Sequence, residues 1–158
     1  MKTMNPLRPM FLAGLLLLGL LAGLSAQAET GWLVAFERQQ VTPVNRADTE
    51  RLIEVGVLDT DGFSEMVLSL GGEFKEAVPG KGRVGALLVP DVDAFNFLMR
   101  NEGKILFPLE VQAQASGGDA IFVSEQMTVR IAFPRYRVYM YNETSSGAVA
   151  SLYAYRVR

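Results

Sequence analysis

The chain closes on two stretches that alternate almost residue by residue, "RYRVYMYN" (Arg135–Asn142) and "VASLYAYRVR" (Val149–Arg158), joined through "ETSSG". A period of two puts successive side chains on opposite faces of an extended strand, so this segment is expected to form a β-hairpin over residues 135–158. Register then decides which side chains share a face. If the numbers of opposed residues sum to an even value, apolar and charged groups mix on both faces. If they sum to an odd value, Tyr136, Val138, Met140, Tyr153, Tyr155 and Val157 gather on one face. The other face then holds Arg135, Arg137, Tyr139, Tyr141, Arg156 and Arg158, beside Leu152. Burial of apolar bodies favours the odd register.

That register carries a cost. It sets four like charges on neighbouring strands, and like charges opposed across a ladder repel unless anions lie between them. Two sources can supply the anions. Acids from the rest of the chain can fold over the hairpin, or an external phosphate, carboxylate or sugar can be held by the guanidinium forks and tyrosine rings. The charge distribution allows both: residues 29–125 carry 16 acids against 8 bases, whereas residues 126–158 carry five arginines against Glu143. The six residues of the polar face, Arg135, Arg137, Tyr139, Tyr141, Arg156 and Arg158, are the candidate binding residues.

The other end of the chain reads as an address. Lys2 and Arg8 precede the apolar run "FLAGLLLLGLLAGL" (Phe11–Leu24), and "SAQA" (Ser25–Ala28) offers the small residues a signal peptidase cuts after. The run is short for a membrane span, which takes about 20 apolar residues. Residues 1–28 are therefore expected to be a cleaved signal peptide, residues 29–158 a single domain, and the protein periplasmic or secreted with no membrane anchor after cleavage. Cysteine is absent, so no disulfide can hold such a domain and burial must suffice.

Histidine is absent too. Catalysis by Ser-His or Cys-His pairs and His-ligated zinc are thereby excluded. Neither Ser-x-x-Lys nor a glycine-rich phosphate loop occurs. Paired carboxylates are the one catalytic kit left, as in glycoside hydrolysis. No cofactor and no metal is expected. "DTDG" (Asp59–Gly62) has the look of a calcium loop. With Gly62 at the sixth position, however, Val57 and Leu68 occupy the first and twelfth, where acids are needed, so a turn with a helix cap is the better account. "NET" (Asn142–Thr144) matches the glycosylation pattern, and "PGKGR" (Pro79–Arg83) reads as a solvated basic hairpin tip.

Between the ends, periodicity suggests alternating elements. "GWLVAFERQQV" (Gly31–Val41) and "RLIEVGVLD" (Arg51–Asp59) read as strands. In "TDGFSEMVLSLGG", Phe63, Met66, Val67 and Leu70 fall at helical spacing, with Gly71-Gly72 as the stop. "EFKEAV" and "GRVGALLVP" flank a glycine turn as a second hairpin. "PDVDAFNFLMRNEG" is a helix capped by Asp91, and "KILFPLEVQAQ" a strand that Pro108 confines to an edge or a bulge. After Ser116 the chain is all β. The order strand, helix, strand, strand, helix, strand over residues 51–114 predicts an α+β fold. Its ferredoxin-like split βαβ core is extended by the C-terminal meander and hairpin.

The runs "VGVLDTDGFSEMVLSLGGEF", "PGKGRVGALLVPDVDAFNFLMRNEGKIL" and "GGDAIFVSEQMTVRIAF" resemble the bacterial domain-of-unknown-function family 4349 over roughly residues 51–133. The shared punctuation is Gly71-Gly72, Val89-Pro90, the aromatic helix positions Phe95 and Leu98, and Gly103. This resemblance implies a cell-envelope compartment and the fold just described, and no activity.

The expectation is a small exported, non-catalytic binding protein, of a class that includes inhibitor and immunity proteins, whose Arg/Tyr hairpin docks an anionic envelope protein or glycan. A carboxylate-based glycan hydrolase and a structural subunit of an envelope assembly are the alternatives. A net charge of −2 makes nucleic acid a poor partner.

Overall fold

A computed structural model describes residues 32–158 except residue 79. The signal-like segment, Gly31 and Pro79 lie outside the described residues. Among the described residues nine strands and one helix follow one another: β1 (Trp32–Val41), β2 (Ile53–Asp59), β3 (Glu65–Phe74), β4 (Gly82–Pro90), α1 (Asp93–Glu102), β5 (Leu109–Ala115), β6 (Ile121–Val123), β7 (Met127–Arg130), β8 (Arg135–Asn142) and β9 (Ala148–Val157). They build two antiparallel sheets. Sheet A runs β1-β9-β3-β6, with β7 also paired to β3, and sheet B runs β2-β8-β4-β5. The sheets pack face to face, and α1 covers the far side of sheet B. Among the described residues no helix is long and apolar enough to cross a membrane.

The fold is therefore mostly β, and the expected ferredoxin-like βαβ core is corrected. The decisive segment is β3. Phe63, Met66, Val67 and Leu70 do fit a helical stripe, but Met66, Leu68 and Leu70 fit a strand equally well, and all three are fully buried between the sheets. A short apolar run satisfies both periods, and the larger burial is available to the strand. Gly71 and Gly72 stop nothing. They lie within β3, and a Cβ at Gly72 would collide with the main-chain oxygen of Val149, so glycine lets β9 come close.

The two expected hairpins are also corrected. β3 and β4 belong to different sheets, and so do β8 and β9. β8 is flanked on both sides, pairing with β2 and with β4, which leaves β9 no edge to occupy. β9 instead runs between β1 and β3. The inner side of β9 is Ala148, Ala150, Leu152 and Ala154, all wholly buried. Two closely packed sheets admit small side chains, so the tyrosine bodies that seemed best buried point the other way.

Sheet B is buried on both faces. Val84, Ala86, Leu88, Tyr136, Val138 and Met140 join the core between the sheets. Leu87, Val89, Tyr139 and Tyr141 join a second cluster with Val44, Leu52 and Met99 of α1. The helix ends as its sequence suggests, on Gly103 at φ 65°. Its start differs from expectation: Val92 occupies the N-cap without a side-chain bond, and Asp91 accepts hydrogen bonds from Asn96 and Arg137 instead. The strand expected from Lys104 begins only at Leu109, so Pro108 lies outside it and Phe107 is exposed; β5 itself borders sheet B.

Candidate functional site

The six candidate residues divide between two places. Arg135 and Arg137 project from β8 toward the loop before α1. Arg137 donates through Nε to Asp91 at 2.7 Å and through a terminal nitrogen to Glu54 at 3.0 Å, while Arg135 approaches Asp91 at 3.3 Å. Burial alone would raise the Asp91 carboxyl, but hydrogen bonds from Arg137 and Asn96 outweigh it and hold the group below its ordinary value. Tyr139 and Tyr141 are buried beneath α1 and the loop before β2. The Tyr141 hydroxyl donates to Glu110 at 2.6 Å, and burial followed by that bond pushes its pKa well up. Tyr139 is likewise raised, chiefly by burial.

Arg156 and Arg158 leave β9 at the same end of the sandwich. Arg156 donates to the main-chain oxygen of Asp59 and stacks on Phe63, its carbon 4.5 Å from the ring centroid. Arg158 reaches the same ring at 5.5 Å. The polar face imagined for a hairpin is thus not one surface. Two of its cations are held by acids of the chain, two lie against a phenylalanine, and two of its tyrosines are core. The internal supply of anions accounts for Arg135 and Arg137.

A different surface is left open by this arrangement. The outer face of sheet A carries what β9 turns away from the core. Leu33, Tyr155 and Val67 lie side by side across β1, β9 and β3, and Ala35, Tyr153 and Ser69 form the next row. Ser151, Gly71 and Val123 follow, then Val149, Glu73 and Ile121. Residues directly opposed have Cβ atoms about 5 Å apart, so these rows are contiguous. Leu33 is 62% exposed, Ile121 and Val123 each 74%, and Tyr153 and Tyr155 about 40%.

Charge is confined to the margin, where Arg38 meets Glu73 at 3.4 Å and Glu65 is opposed to Arg130. A shallow depression of about 230 Å³ opens on the same face between Arg38, Glu73, Ile121, Val149 and Ser151. An apolar, tyrosine-bearing centre inside a charged rim is the composition of protein interaction surfaces.

No protein-family model and no curated protein matches this chain. The resemblance to family 4349 accordingly rests on its motifs alone.

The sequence held one sign of this face. "AVASLYAY" alternates small residues with larger ones, and the small ones mark the side that meets a second sheet. The greater apolar area of the tyrosines argues the opposite way, because a strand's alternation does not say how near a second sheet comes.

Proposed function

We propose that the protein is an exported, non-catalytic binding protein of the cell envelope, and that it engages a partner protein through the outer face of sheet A. Export rests on the signal-like segment of residues 1–28. The observation that carries the binding reading is the open row structure around Tyr153 and Tyr155, with Leu33, Val67 and Val123 beside them and charge held to the rim. A face of this kind is costly to leave in water, and covering it recovers apolar area.

The non-catalytic reading is supported by how the acids are used. Asp91 and Glu143 are both held below the ordinary carboxylate range, Asp91 as described and Glu143 chiefly by its hydrogen bond from Arg83. A general acid needs the opposite shift. Glu110 is engaged by Arg46 at 3.0 Å and by Tyr141.

The test compares three forms of the protein as bait against envelope extract: wild type, Tyr153→Ser/Tyr155→Ser, and Arg135→Ala/Arg137→Ala. The reading expects a partner recovered by wild type and by the arginine variant but lost from the tyrosine variant. Equal recovery by wild type and the tyrosine variant sinks it, and loss confined to the arginine variant returns the site to β8.

A further inference from the structure

The four lateral edges of the two sheets are not alike. β1 is broken by a register shift between Phe36 and Gln39, with Arg38 at φ 51°. β2 carries a shift between Glu54 and Gly56. The far edge of sheet A is cut into β6 and β7, of three and four residues. Bulges and short strands are how sheets prevent unwanted pairing. β5 has neither. It is seven residues long, and its register with β4 is unbroken from Gly82↔Ala115 to Leu88↔Leu109. No lysine, arginine or proline occurs in "LEVQAQA". Alternate N–H and C=O groups along it face outward, since in an antiparallel strand only every second residue bonds a given neighbour.

Beside this edge lies a groove of about 570 Å³, with Glu110–Gln114 along one wall and Val123–Met127 along the other. That second wall is the junction between the end of β6 and the start of β7.

We propose that β5 pairs with the β5 strand of a second copy, antiparallel about a two-fold axis at Gln112, joining two four-stranded sheets into one of eight. The strand is complementary to itself in that register. On the core side Val111 meets Ala113 of the copy and Leu109 meets Ala115, large against small each time. On the other side Gln112 meets Gln112 and Glu110 meets Gln114, so no like charges are opposed. The one charge on the strand, Glu110, is already neutralised by Arg46. The axis stands perpendicular to the sheet and keeps core side with core side, as an isologous contact demands. The pairing edge belongs to sheet B and the face assigned to the partner protein to sheet A; Val123 borders both, but Gln112 lies outside that face and Tyr153 and Tyr155 lie outside the groove, so the variants distinguish failure of one assignment from failure of the other.

The experiment is sedimentation equilibrium on the purified protein across a range of concentrations. Wild type is expected to dimerise. Gln112 is exposed, and its side-chain oxygen accepts from Arg83 at 3.3 Å and from Tyr141 at 3.4 Å, so circular dichroism and the urea midpoint first establish that each variant is folded. Gln112→Lys and Gln112→Glu each place like charges on the axis and are expected to weaken association by about tenfold. An equimolar mixture of the two is expected to associate again as a heterodimer. Hydrogen exchange gives a check without variants: β5 amides become protected as concentration rises, and β2 amides do not. A wild type that stays monomeric, including one that binds a foreign peptide along β5, overturns the proposal. So does a lysine variant that dimerises as wild type does.

Discussion

The ring of Tyr141 lies across Gly85, the residue directly opposed to it on β4, so closely that a Cβ at position 85 would overlap the ring carbons. An aromatic side chain thus covers the gap that glycine leaves in the sheet. The ring cannot swing aside, because it is fully buried and its hydroxyl is bonded to Glu110. Gly85→Ala is expected to lower stability by about 2–3 kcal/mol, the usual cost of overpacking, with the urea midpoint as the measure.

Asn142 ends β8 and organises the passage to β9. It is wholly buried, its amide donates to the main-chain oxygens of Val41 and Ser146, and its oxygen accepts from the amide and hydroxyl of Thr144. The apparent glycosylation site is therefore a structural turn with no room for a sugar. Asn142→Ala orphans several buried groups at once. A loss of about 3 kcal/mol or more in chemical denaturation is expected.

Ser124 extends the ladder across the break between β6 and β7. The Leu70 amide donates to its hydroxyl at 2.9 Å, and its own amide donates to the Leu70 oxygen at 2.7 Å. Ser124→Ala leaves the Leu70 N–H buried and unpaired, which costs about 1–3 kcal/mol. Exchange of the Leu70 amide should accelerate in that variant while the amides of sheet B keep their protection.

Acid should find two weak points. Asp91 and Glu143 titrate below their unfolded values, which lie near 4. Groups with depressed folded pKa values contribute stability that is fully present above the unfolded pKa. That contribution is lost as pH falls through the folded one. Urea midpoints measured from pH 7 downward should hold until about pH 5 and then decline. Asp91→Asn and Glu143→Gln should each start lower at pH 7 and decline less steeply. Parallel curves for wild type and both variants would remove these carboxylates from the acid response.

Much of the architecture was readable locally. β1, β2, β8 and β9 lie where alternation puts them, β5 keeps only the part of its expected span from Leu109 onward, and α1 ends on the glycine that its sequence offers. The failures were failures of partner choice. Strand neighbours in the chain were paired with one another, whereas β8 and β9 lie in separate sheets, and nothing within either strand records that. Tyr139 and Tyr141 show the same limit. Arg135 and Arg137 make their face of β8 read as a polar surface, yet α1 and the loop before β2 cover its far half. Within β3, two periods fitted one apolar run, and only packing against sheet B could choose. The candidate site was missed for a related reason: which side of β9 is outermost depends on a second sheet contributed by distant parts of the chain.

The place of β9, between β1 and β3, reaches back to how the protein is made. Among the described strands the first has the last as its main-chain neighbour, so sheet A lacks an inner strand until Ala148–Val157 has been made. Sheet A can therefore close only after Ala148–Val157 has been made, whereas all four strands of sheet B are present once Asn142 has been.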